Sequence, residues 1–135
     1  MEPIPRHTEA VLGLPSGLRI AIKQWGDEHA HVKILAVHGW LDSAATWDNL
    51  APLLVSSSLS VRLVCMDFAG HGLSSHKSAD ALGYDFCTRV VELSQVADAL
   101  HWDKFILMGH SMGAAIATIA ASVMKDRFFY LCCAY

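Results

Sequence analysis

The residues whose types and spacing could do chemistry gather in one pentapeptide, Gly109-His110-Ser111-Met112-Gly113. It follows the apolar run Phe105 to Met108 and precedes the small-residue stretch Ala114-Ala115-Ile116-Ala117. A serine set on a sharp turn from strand to helix is held in strained backbone geometry that pushes its hydroxyl above the sheet edge. Glycine suits positions 109 and 113, because side chains there would collide across the turn. The helix that follows aims free N–H groups and the positive end of its dipole at the serine oxygen. The implied chemistry is nucleophilic attack on a carbonyl, with Ser111 as the nucleophile.

Such attack builds negative charge on the carbonyl oxygen, and the site must aim donors at it. The N–H of Met112, next after the serine, is one. The loop His38-Gly39-Trp40, directly after the apolar run Ile34 to Val37, can supply the other from Trp40. Gly39 lets the backbone come close, His38 reads as a hydrogen-bonding residue that holds the loop, and His110 as a packing or shaping residue of the turn. A serine hydroxyl also needs a base, usually a histidine steadied by a carboxylate. No histidine follows Ser111; His7, His29, His31, His38, His71, His76, His101 and His110 all precede it. Of these, His71 and His76 fall on the loop after Leu63 to Met66, near the same sheet edge.

Three elements must position this constellation. Ile34 to Val37, Leu63 to Met66 and Phe105 to Met108 are apolar without alternation, which suits strands covered on both faces of a parallel sheet. Between them Phe86, Val90, Leu93, Ala97 and Leu100 draw one helical stripe, with Asp85 at its start. Thr46 to Val55 predicts a shorter helix with Pro52 in its first turn or kinking it. Pro15-Ser16-Gly17 followed by Leu18 to Lys23 predicts an antiparallel hairpin arm. The order gives an α/β fold: a mainly parallel sheet flanked by helices, with an N-terminal antiparallel hairpin. At 135 residues a single domain, 1–135, is expected.

Composition narrows the partners. Ten basic and 13 acidic residues give a formal charge of −3 with no basic run, which argues against nucleic acid. The hydrophobic fraction is 53% and the mean hydropathy +0.35. Even so, the longest nearly uncharged run stops at Lys125-Asp126-Arg127, short of the roughly 20 residues that span a bilayer. Residues 1–10 lack an apolar h-region, so no signal peptide is expected and a cytosolic or organelle-matrix setting follows. Cys65, Cys87, Cys132 and Cys133 lie in or beside apolar stretches and read as buried, reduced thiols without metal-ligand spacing. No cofactor or metal is implied. Trp40 and Trp47 are candidates to line a pocket, with core packing an equal reading for Trp47.

The wording HGW at 38–40, DFAGHGLS at 67–74 and GHSMG at 109–113, in that order on strand ends, resembles the α/β-hydrolase fold family, and within it the serine hydrolase-like proteins. The resemblance runs from about residue 14 to about 127. It implies Ser111 as nucleophile, Trp40 and Met112 as oxyanion-hole N–H groups, and Asp67 as a loop-shaping residue outside the triad. Branches that open epoxides or displace halide carry aspartate at the elbow, so Ser111 favours ester, thioester or amide-like substrates. The resemblance also makes this the N-terminal half of a longer hydrolase, with the acid, the histidine and the lid elsewhere. On that reading the chain alone is nearly inactive, and a small-molecule acyl substrate belongs to the full-length form. The apolar segment 128–135 becomes an unpaired sheet edge that invites self-association and poor solubility. The alternative is a catalytically silent protein that binds a small apolar molecule in the same place.

Overall fold

In the computed structural model, which describes residues 5–78 and 83–134, the three unalternating apolar runs form the middle of one six-stranded sheet. Its strands are β1 (Thr8–Gly13), β2 (Arg19–Gly26), β3 (Val32–Val37), β4 (Val61–Met66), β5 (Phe105–His110) and β6 (Phe128–Ala134). They lie in the order β1-β2-β4-β3-β5-β6. β3, β4, β5 and β6 are mutually parallel, and β2 is antiparallel to both of its neighbours. Leu35 to Val37 and Leu63 to Met66 are fully buried, as strands covered on both faces must be. The hairpin turns at Gly17, whose φ of 86° suits only glycine at no cost. The expected final strand is present to Ala134; Tyr135 and the first four residues lie outside the described residues.

Side chains alternate across the sheet, so each strand feeds two cores. On one face Trp25, Ile34, Ala36, Leu63, Cys65 and Trp47 pack together. The Thr46 to Val55 segment covers this face as two pieces rather than one helix: a 3-10 turn, Ala44–Trp47, and α1 (Ala51–Val55). The break has a local cause. Ser43 caps the 3-10 turn, and Pro52 can stand only in the first turn of α1, where no N–H is missed. Trp47 is buried in this core.

On the other face α2 (Phe86–Ala99) and α3 (Met112–Val123) pack over Leu35, Val37, Val64, Met66 and Leu107. Asp85 caps α2 by accepting from Thr88 N at 2.9 Å. The buried stripe of α2 is rotated from the apolar one: Phe86 is exposed, while Arg89 and Glu92 are buried beside Val90, Leu93, Val96 and Ala97. Their charges have partners. The Arg89 guanidinium lies 5.2 Å from the centre of the Phe68 ring and 5.7 Å from that of Tyr84, and Glu92 accepts from Ala69 N at 3.1 Å and pairs with Lys77.

The cysteines correct the expectation of uniform burial. All four are free thiols, but only Cys65 is buried; Cys87 and Cys132 are exposed and Cys133 half-buried. Cys87 sits in the outward first turn of α2, and the other two lie on β6, an edge strand whose apolar neighbours Phe129, Tyr130 and Leu131 are themselves exposed. Sequence neighbours predicted a covered environment that an edge strand does not provide. Among the described residues no helix is long and apolar enough to cross a membrane.

Candidate active site

The chain leaves β3 toward β4 on one side, while β5 lies on the other. Loops at the C-terminal ends of β3 and β5 therefore diverge, and a crevice opens between them. His38-Gly39-Trp40 leaves β3 there, and Ser111 leaves β5.

Ser111 has φ 53° and ψ −120°, a region that L-residues rarely occupy. Such a conformation costs about 1–3 kcal/mol and persists only where the surroundings enforce it. Here Ser111 N donates to Ala134 O at 2.7 Å, and Ser111 O accepts from Ala114 N at 2.9 Å and Ala115 N at 3.2 Å. The two flanking glycines leave no room for anything larger. A Cβ on Gly109 would stand 2.5 Å from Gly113 O, and one on Gly113 2.5 Å from Val37 O and 2.6 Å from His38 O. α3 thus rests directly on the end of β3. A Cβ on Gly39 would stand 3.2 Å from Ser111 Cβ, so the two loops touch at the serine side chain.

The N–H groups of Trp40 and Met112 have no acceptor among the described residues, and Met112 begins α3. The Trp40 indole is exposed. His38 is fully buried; its Nδ1–H donates to its neighbour Gly39 O at 2.7 Å and its Nε2 accepts from Phe68 N at 3.1 Å. Burial lowers its pKa, which keeps the ring neutral as this pairing demands. Asp67 accepts from Ala44 N at 2.6 Å and Leu73 N at 2.8 Å, tying the loop after β3 to the loop after β4. The fit is close enough that a Cβ on Gly72 would overlap the Asp67 carboxylate. Desolvation pushes the Asp42 carboxyl upward, but hydrogen bonds from the Thr46 hydroxyl and Ser43 N hold it below the usual range.

His110 is exposed at the end of β5 rather than packed, with its ring flanking Gly39. Its place as the last residue of the strand turns it out of the sheet. His76 is exposed. His71 has a role that sequence reasoning missed: Nε2 accepts from Leu41 N at 3.3 Å, Nδ1 pairs with Ala69 O at 3.2 Å, and its ring lies 5.0 Å from that of His38. The signal available was its place in Gly70-His71-Gly72, where two positive-φ glycines bend the chain back toward the β3 loop. Ser111 Oγ makes no hydrogen bond among the described residues.

A groove of about 540 Å³ lies elsewhere, between the hairpin and the loops after β3 and β4, lined by Val11, Ile22, Lys23, Ala44, Asp67 and Leu73. It takes in neither Ser111 nor the two free N–H groups. Among the described residues no group of His, Cys, Asp or Glu side chains could hold a metal ion.

A sequence profile of the alpha/beta hydrolase fold matches residues 33–128. A serine hydrolase-like protein of Dictyostelium discoideum is 45% identical over 127 residues, 93% of this chain and 34% of that protein. A serine hydrolase-like protein of Mus musculus is 42% identical over 120 residues, 89% of this chain and 37% of that one. The chain thus spans about a third of the length of these curated relatives. Among solved structures, the thioesterase domain from the curacin biosynthetic pathway superposes with a TM-score of 0.85 at 30% identity, covering 95% of this chain and 46% of that one. A hypothetical protein from Pseudomonas aeruginosa PAO1 gives 0.84 at 34% identity, over 93% of this chain and 42% of that one.

Proposed function

Because the chain belongs to the alpha/beta hydrolase fold family, we propose that it carries the nucleophile and oxyanion hole of a serine hydrolase acting on an ester, thioester or amide-like bond of a small molecule. Ser111 Oγ attacks the acyl carbon, its proton passes to a base, and the charge on the carbonyl oxygen is received by Trp40 N–H and Met112 N–H. The observation that carries this reading is the contact of the two loops. A Cβ on Gly39 would stand 3.2 Å from Ser111 Cβ, tighter than ordinary contact, so the Trp40 and Met112 N–H groups, which have no acceptor among the described residues, each adjoin one of the two residues that meet there.

The base and its carboxylate are assigned to residues outside these 135. His38 and His71 have both ring nitrogens engaged with backbone groups. A site of this kind without its triad partners retains only about 10³ to 10⁴ over the uncatalysed rate, so this chain alone is nearly inactive. The thioesterase domain among the structural relatives supports acyl chemistry. That Ser111 Oγ has no hydrogen-bond partner among the described residues favours one other reading, a silent small-molecule binder on the same fold.

The test is covalent labelling by a fluorophosphonate, read by mass spectrometry, on this chain and on a chimera in which it replaces the matched third of the Dictyostelium relative. Labelling of Ser111 in the chimera, lost in Ser111→Ala, is expected. A folded chimera that stays unlabelled refutes the nucleophile, and labelling of the chain alone refutes the assignment of the base.

A further inference from the structure

We propose that His71 is a positioning residue for the oxyanion loop: its imidazole, as the Nδ1–H tautomer, fixes the peptide between Trp40 and Leu41 and thereby the direction of the Trp40 N–H. The functional half of this inference rests on the reading of Trp40 given above; the structural half does not.

Leu41 is an exposed, non-glycine residue with φ 58°. This conformation costs an L-residue roughly 1–2 kcal/mol, and an exposed leucine gains little by burial to offset it. Hydrogen bonds must therefore hold it. Two successive peptides of the turn are pinned by two histidines. The first, Gly39–Trp40, has its carbonyl held by His38 Nδ1–H at 2.7 Å and by Asp42 N at 3.3 Å. A trans peptide is planar, so fixing that carbonyl turns the Trp40 N–H the opposite way. The second, Trp40–Leu41, is held among the described residues only through Leu41 N–H, which His71 Nε2 accepts at 3.3 Å.

Without that acceptor the second peptide is free to rotate, and rotation about the bonds of Trp40 drags on the first. His71 in turn is fixed by Ala69 O, by the tilted contact of the His38 ring, and by the positive-φ glycines on either side of it. Because a backbone N–H points at Nε2, that nitrogen must be unprotonated, and the proton sits on Nδ1, facing Ala69 O. The loop after β4 thus sets the geometry of a loop that belongs to β3.

The tautomer is read from the ¹⁵N shifts of His71 by magic-angle-spinning NMR, which serves dissolved and sedimented protein alike. An unprotonated Nε2 is expected; a proton on Nε2 overturns the proposal. Hydrogen exchange then compares His71→Gln, which keeps an acceptor, with His71→Phe, which keeps a ring alone. Leu41 N–H is expected to exchange about tenfold faster in the Phe variant and nearer the wild-type rate in the Gln variant. Protection of Phe68 N–H, bound by His38, reports that the fold persists, and equal Leu41 exchange in Phe and wild type overturns the proposal. In the chimera His71→Phe slows fluorophosphonate labelling more than His71→Gln. An unlabelled chimera with the expected tautomer would sink the hydrolase reading and leave the His71–Leu41 clamp standing.

Discussion

Replacing Gly113 by alanine tests the packing that brings the two loops together. The new Cβ would lie 2.5 Å from Val37 O and 2.6 Å from His38 O. Carbon–oxygen contacts ordinarily begin near about 3.3 Å, so α3 must retreat from β3 by roughly 0.8 Å. Two terms compete. Alanine is favoured over glycine in a helix interior by at most about 1 kcal/mol, and by less in the first turn where Gly113 sits. Overpacking a close backbone contact costs about 1–3 kcal/mol. The steric term wins, and a net loss of about 1–2 kcal/mol is expected. The assay is urea unfolding followed by tryptophan fluorescence, since Trp25, Trp47 and Trp102 are buried and report global exposure. With a slope of about 2 kcal/mol per molar, the midpoint should fall by about 0.5–1 M. An unchanged or higher midpoint would mean that α3 does not rest on the end of β3, and the contact behind the proposed site would fall with it.

His38 makes stability pH-dependent. Burial lowers its folded pKa below the usual 6.5, so its contribution is complete above that pH and is lost as pH falls toward the lowered value. Unfolding midpoints measured from neutral pH down to about 5 should decline in the wild type and less steeply in His38→Asn; equal slopes would remove His38 as the cause. The exposed edge of β6 is expected to drive self-association, because Phe129, Tyr130 and Leu131 offer apolar surface and unpaired backbone together. Sedimentation velocity should show oligomers that Tyr130→Lys reduces, and an unaltered distribution would point to another surface.

The architecture was legible because its signals are local. Unalternating runs such as Leu63 to Met66 cannot be satisfied by a one-sided sheet, and the spacing of Gly109, Ser111 and Gly113 admits few backbone paths. Asp85 at a helix start and Pro52 in a first turn are likewise decided within a few residues of chain. Other readings failed where the deciding partner is distant. Phe86 lies on the apolar stripe yet is exposed, since Arg89 and Glu92 find rings, an amide and Lys77 in the loop after β4. Cys132 and Cys133 sit in an apolar segment but on an edge strand that is open on its outer side.

By itself the sequence determined the strand order along the chain and the serine turn. Only the tertiary structure decided that Gly39 meets Ser111, that Asp67 ties two loops together, and that His71 clasps Leu41. Each of these joins residues 23 or more apart in sequence, and a hydrogen bond a few ångströms long leaves no periodic trace in the chain that must fold to make it.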